Sequence, residues 1–118
     1  MDSREAITSF SQGEKIKAGL IWASQALELI QGLGGMERAG GHHVTRGLLG
    51  MIGHEVQLVR SVTGDEAWDE LFPLLERAVV MIDSGVPQES LRHLSTALSK
   101  TTSVLQRSMT FLRDENLL

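Results

Sequence analysis

Residues 16–30 read IKAGLIWASQALELI, and this stretch decides the fold class. Five of its apolar residues recur at alternating spacings of four and three: Ile16, Leu20, Ala23, Leu27 and Ile30. At about 100° per residue, these positions form one stripe along an α-helix. The stretch therefore predicts an amphipathic helix, and the rest of the chain must supply the helices that cover its stripe.

Four helices are predicted along the chain. The first is expected over residues 14–33, because Ser11 and Glu14 fit a capping box and a cluster of glycines follows. The second is expected over residues 41–62 and the third over 65–83, with a kink at Pro73. The fourth begins at Pro87, since proline suits the first turn of a helix. No stretch has the alternation typical of a strand.

Each later helix also has an apolar side that is expected to face the core. On the second helix this side holds Val44, Leu48, Met51, Leu58, Val59 and Val62. Glu55 falls in the middle of that side, and a break in the helix near Gly53 would relieve the conflict. The third helix is expected to bury Trp68, Leu71 or Phe72, Leu75, Val79 and Ile82. Trp22 and Trp68 are interpreted as core anchors.

The fourth helix has leucine at every seventh position: Leu91, Leu98, Leu105 and Leu112. The companion column is half polar, with Leu94, Thr101 and Ser108. This favours a bundle face over a free-standing dimeric coil. Short connections between long helices predict an all-α, antiparallel up-down-up-down four-helix bundle. We expect one domain over residues 1–118, with residues 1–10 and 115–118 loosely held.

Composition narrows the class of function. The net charge of -4 is spread along the chain and there is no cysteine, which argues against a nucleic-acid partner, a disulfide framework and a thiolate nucleophile. The longest apolar stretch, residues 18–33, is too short and too polar to span a membrane. The histidines and carboxylates lack the spacing of a metal site, and nothing indicates a cofactor. A cytoplasmic protein is the natural expectation.

The second helix carries the most specific chemical signal. His42, His43 and His54 lie on it or at its start, together with Gly47, Gly50 and Gly53. Each interior glycine costs about 1 kcal/mol relative to alanine, so this series calls for a packing or functional reason. On the helical wheel His43, Gly47, Gly50 and His54 share a flank beside the apolar side. An imidazole there is expected to be accessible, and Arg46 can reach an oxyanion held near it.

The run HVTRGLLGMIG, residues 43–53, resembles the signature of histidine phosphotransfer domains. In that family the phosphorylated histidine is followed by a basic residue at plus three and by glycine at plus four, often with glycines at plus seven and plus ten. The resemblance implies that His43 is the phosphoacceptor, that Arg46 is the cation beside the phosphate, and that Gly47 and Gly50 leave room for a partner. It also implies a small four-helix bundle that acts as a carrier without an active site of its own. The partner would be a receiver domain or a kinase.

A second interpretation stays open. Glycines spaced by three or four on a helix flank often allow two helices to approach closely, and nearby histidines are often satisfied by ordinary hydrogen bonds. The protein would then be a helical interaction or adaptor module that forms a homodimer or binds a partner helix through the glycine flank or the fourth helix. An exposed His43 favours the carrier, and a buried Gly47 and Gly50 flank favours the adaptor.

Overall fold

The computed structural model describes all 118 residues, and every regular element in it is helical. There are four α-helices and one short 3-10 helix: α1 (Ser3–Ile30), α2 (Gly35–Thr63), the 3-10 helix (Glu66–Glu70), α3 (Leu71–Asp83) and α4 (Pro87–Asp114). The molecule measures 53 × 21 × 18 Å, so the long helices set its length. The predicted all-α class is confirmed.

One hydrophobic cluster joins all of these elements. It contains 17 buried residues, contributed by α1, α2, the 3-10 helix, α3 and α4. Helix α1 packs against α2 and α4, and α4 packs against α1 and α3. Trp68, Leu71, Leu75 and Ile82 are buried in this cluster, as predicted, and Val79 packs against it while partly buried. No helix has both the length and the apolarity required to cross a membrane.

Helix α1 begins eleven residues earlier than the expected residue 14, because a different capping box starts it. The Asp2 carboxylate accepts a hydrogen bond from the Glu5 N–H, and the Glu5 carboxylate accepts one from the Asp2 N–H. Ala6 and Ser9 are buried and extend the core stripe toward the N-terminus. Residues 3–10, expected to be loosely held, are therefore part of a helix with two buried residues.

The turns between helices use the residues that the sequence indicated. Gly64 ends α2 with φ 68°, and Gly85 follows α3 with φ 80°, values that favour glycine over other residues. Pro87 lies at the start of α4 as predicted. Pro73 lies in the first turn of α3, directly after the 3-10 helix, so proline accompanies a change of helix type.

Helix α2 is rotated relative to the predicted orientation. Its buried residues are Thr45, Leu49, Ile52, Val56, Val59 and Thr63. Of the six residues expected to face the core, only Val59 is buried. Val44, Met51, Leu58 and Val62 are exposed, and Leu48 is half-buried. The helix also continues through Gly53 without a break.

The physical reason lies in the two threonines and in Glu55. The hydroxyl groups of Thr45 and Thr63 donate to the carbonyl oxygens of Gly41 and Val59 at 2.9 and 2.7 Å, so both threonines are buried with their polar atoms satisfied. Glu55 remains partly exposed on the predicted side, where it binds Lys15. The position of Glu55 in the middle of the expected apolar side therefore indicates that the predicted rotation of α2 is wrong, and not that the helix breaks.

The companion column of α4 is buried too, but only its threonine is hydrogen-bonded, since the buried Ser108 hydroxyl has no partner within the chain. Leu94, Thr101 and Ser108 are completely buried, and Thr101 donates to the Ala97 carbonyl oxygen at 2.9 Å. Leu105 and Leu112 are buried, while Leu91 and Leu98 pack at the edge of the core. The leucine repeat is thus a bundle face within this chain, as the sequence indicated.

Candidate functional site

The four predicted site residues lie together on α2, on the side that faces away from the core. At about 100° per residue, His43, Gly47 and Gly50 are nearly opposite the buried stripe that contains Leu49 and Ile52. All three are exposed. The corrected orientation of α2 therefore makes this flank more accessible than the sequence suggested.

The space beside the imidazole is open. A Cβ atom added to Gly47 or Gly50 would meet nothing within 4 Å. His43, Arg46 and Gly47 line a shallow depression of about 300 Å³, and Val79 of α3 completes its wall. Another protein could therefore approach His43 along about two turns of helix without meeting a side chain at either glycine.

Arg46 is held by an acidic partner that the sequence did not indicate. Its Nε atom lies 3.0 Å from the Oδ1 atom of Asp83, at the end of α3. Both side chains are about half exposed, so solvent screens the pair and its contribution to stability is small. Asp83 thus fixes the guanidinium beside His43, but its negative charge opposes any anion bound there.

The glycines at which helices approach closely are different ones. A Cβ atom on Gly41 would lie 2.8 Å from Cγ1 of Ile30, and one on Gly19 would lie 3.1 Å from Cγ1 of Ile52. Both positions are α1–α2 contacts. Close helix packing therefore accounts for Gly41 and Gly19, whereas within this chain it does not account for Gly47 or Gly50.

The other histidines have less defined surroundings. His54 is exposed on the same flank as His43, but Gln57 occupies the position corresponding to Arg46. His42 is half-buried, and its Nε2 atom has no hydrogen-bond partner. It lines a small cleft of about 170 Å³ with Arg38 and Pro87. Only His43 combines exposure with an adjacent arginine and open glycines.

A second surface, an apolar groove formed by α1 and α2, was not predicted from the sequence. Trp22, expected in the core, is 65% exposed. Together with Leu48 and Met51 it lines an apolar groove of about 330 Å³ whose floor includes Gly19. At one end of the groove Lys15 donates to Glu55 at 2.9 Å, and this hydrogen bond lowers the pKa of the Glu55 carboxyl. The signal available in the sequence was Glu55 itself, which marked this side of α2 as exposed.

No local sequence pattern indicates the Arg46–Asp83 pair, because the two residues are far apart in the chain and the packing of α2 against α3 cannot be read from either segment alone.

No three or more His, Cys, Asp or Glu side chains are grouped closely enough to hold a metal ion. Comparisons of the chain with protein families, curated proteins and solved structures found no match.

Proposed function

We propose that this protein is a phosphoryl carrier in two-component signalling and that His43 is its phosphoacceptor. A neutral imidazole nitrogen would attack the phosphorus of an aspartyl phosphate on a receiver domain, or of a phosphorylated kinase. The P–N bond forms as the bond to the donor group breaks, and the imidazole proton passes to solvent. The reverse reaction hands the phosphoryl group to the next protein.

The observation that carries the proposal is the open face around His43. An accessible imidazole, two glycines without neighbours, and an arginine at plus three lie on one helix. A histidine is largely neutral and nucleophilic near pH 7, and a phosphoryl group on it benefits from a nearby guanidinium. The resemblance of residues 43–53 to histidine phosphotransfer domains supports the same assignment.

The Arg46–Asp83 pair gives the proposal a distinctive consequence. Once His43 carries a phosphoryl group, Arg46 must turn from the Asp83 carboxylate toward the new oxyanion, since one guanidinium serves both. Breaking the exposed Arg46–Asp83 ion pair costs little stability, because solvent already screens it. Removing the Asp83 charge should therefore favour phosphorylation, and we expect Asp83→Asn to increase the yield of phosphohistidine by a few-fold.

The test is phosphorylation by a small donor such as phosphoramidate, followed by mass spectrometry under alkaline conditions to locate the acid-labile adduct. We expect an adduct on His43 that disappears in His43→Gln. His54 is the matched control, because it is exposed on the same flank but lacks an arginine at plus three. His54→Gln should leave the adduct unchanged.

Two outcomes would contradict the proposal. One is the absence of any adduct on His43. The other is equal labelling of all four histidines, which would reflect ordinary imidazole reactivity. A lower yield in Asp83→Asn than in the wild type would contradict the proposed exchange of Arg46 between carboxylate and phosphate.

A helical interaction module without phosphoryl chemistry is the second candidate. The leucines of α4, one of its expected surfaces, do not favour it, since Leu105 and Leu112 are buried within this chain. What favours this candidate is the exposed apolar surface around Trp22. Binding of a partner at this surface, together with an unreactive His43, would show that the protein is an interaction module and not a phosphoryl carrier.

We also propose that the four helices are antiparallel, in up-down-up-down order. Gly19 packs beside Ile52 and Ile30 beside Gly41, which supports an antiparallel arrangement of α1 and α2. The short connections at residues 31–34, 64–65 and 84–86 support the same up-down-up-down order for all four helices. A cytoplasmic location suits exchange with receiver domains and kinases.

A further inference from the structure

Six large apolar residues form an exposed strip on α1 and α2, which we call the α1–α2 strip. Its members are Trp22 and Leu29 on α1, and Val44, Met51, Leu58 and Val62 on α2. Each is at least half exposed. Trp22 and Leu29 are seven residues apart, as are Val44, Met51 and Leu58, which is the repeat of helices that pack against other helices.

The six residues of the strip together expose a large area, and Glu55 lies between Met51 and Leu58 within it. With exposed fractions between 50% and 77%, and about 150 to 200 Å² for a fully exposed residue of this size, it presents on the order of 600 to 800 Å². A stable interface buries about 800 Å² on each partner, so the strip matches what one copy contributes to a dimer.

The shape of the strip is complementary to the same strip on a second copy. The groove between α1 and α2 has a volume of about 330 Å³ and is lined in part by Ala18, with only a methyl group, and Gly19, with no side chain, which leaves it open. Trp22 projects at the edge of the same groove. In an interface with two-fold symmetry, a projection and a groove on one copy meet the groove and the projection on the other.

Charge favours a second copy over a charged partner. Lys15 and Glu55 are the two charged residues that line the groove, and they pair with each other at 2.9 Å. Two identical surfaces of this kind can meet without repulsion, even though each chain carries a net charge of -4. A strongly basic or acidic partner would find no complementary charge in the groove.

We infer that the α1–α2 strip is the interface of a homodimer, in which Trp22 of each copy packs into the groove beside Gly19 of the other. The dimer places two helices from each copy side by side, with their seven-residue repeats in contact. The His43 flank lies about a quarter turn away from the strip on α2. The inference does not depend on the proposed phosphoryl chemistry.

The test is the mass of the protein in solution, measured by sedimentation equilibrium or by light scattering. Interfaces of this size have dissociation constants of micromolar or lower, so at about 100 μM we expect the dimer to dominate. Its mass is twice the chain mass of 12.9 kDa. A monomer at this concentration would overturn the inference and leave a different protein as the occupant of the strip.

Charge substitutions then locate the interface. Trp22→Glu and Met51→Glu each place a carboxylate in the centre of the strip and should raise the dissociation constant at least about 30-fold. Val80→Glu is the matched control, since Val80 is 48% exposed on α3, outside the strip. We expect this variant to dimerise as the wild type does.

Folding of each variant is checked by circular dichroism. Should Trp22→Glu lose helix content, Met51→Glu on the other helix decides the question. Dimers that persist in both strip variants, or that are lost equally in Val80→Glu, would overturn the assignment of the interface to this strip.

Discussion

Two stripes run side by side along α2, and only one of them is buried. The buried stripe includes two threonines among its six residues, whereas the exposed one holds Val44, Met51, Leu58 and Val62, with Glu55 in its middle. The exposed side therefore carries a carboxylate among its apolar residues, and hydropathy alone does not decide which stripe is buried. The difference shows that burial here follows the satisfaction of polar atoms and the shape of the partner helices as well as hydropathy.

Small residues on the neighbouring helix contribute to that outcome. Gly19 of α1 lies against Ile52, and Gly41 of α2 lies against Ile30, so each branched side chain fills the space left by a glycine. A one-residue change in the rotation of α2 would replace Ile52 by Met51 or Gly53 at this contact. The fit between isoleucine and glycine therefore fixes the rotation, and it leaves Val44, Met51, Leu58 and Val62 exposed.

The largest expected difference between the two stripes is in stability. Leu49 is 2% exposed and Leu58 is 50% exposed on the same helix. Leu49→Ala should lower the free energy of unfolding by about 2 to 5 kcal/mol, because it leaves a cavity in the core. Leu58→Ala should cost less than about 1 kcal/mol. Urea unfolding, at protein concentrations low enough to limit dimerisation, measures both.

A smaller difference is expected between two glycines of α2. In Gly47→Ala the new methyl group meets open space, so the variant should be more stable by about 0.5 to 1 kcal/mol. In Gly41→Ala the methyl group would displace Ile30, and the strain should outweigh the gain in helix propensity. Thermal unfolding of the two variants should therefore show shifts of opposite sign. Equal stabilisation by both would mean that α1 and α2 are not in close contact at Gly41.

The smallest effect concerns Glu55 and depends on pH. Its pKa is lowered in the folded protein by the hydrogen bond from Lys15, relative to an ordinary value of 4.5. The ion pair therefore stabilises the fold above that value, and its contribution is lost as the pH falls through the lowered pKa. Acidification should cost the wild type up to about 1 kcal/mol more than Glu55→Gln.

Glu14→Gln is the control for this measurement, because Glu14 is exposed on α1 and takes part in no ion pair. It should keep the acid sensitivity of the wild type. If Glu55→Gln were as sensitive to acid as the wild type, the Lys15–Glu55 contact would not form in solution.

Much of the fold was available from the sequence because it depends on local signals. The glycines that end helices, the proline that starts α4 and the stripe of α1 each act within a few residues. The rotation of α2 was not available, because its sequence contains two stripes and the choice depends on helix α1. Likewise, Asp2 with Glu5 and Ser11 with Glu14 both fit a capping box, and only the burial of Ala6 and Ser9 distinguishes them.

The candidate site was predicted only in part, for the same reason. The exposure of His43 could be anticipated from its position relative to the glycines. The pairing of Arg46 with Asp83 and the exposure of Trp22 depend on how separate helices pack, and hydropathy placed Trp22 in the core instead. Residue type suggested a candidate chemistry for His43, whereas tertiary contacts determine which groups surround it.

The glycines of α2 also have a consequence for backbone motion. Five of them, at positions 40, 41, 47, 50 and 53, lie in the first two thirds of the helix, and none lies between Gly53 and its end at Thr63. At about 1 kcal/mol each, they remove most of the intrinsic helicity of that segment, so packing must hold it in place. Backbone amides around His43 should therefore exchange with solvent deuterium faster than those around Val59, through brief local opening.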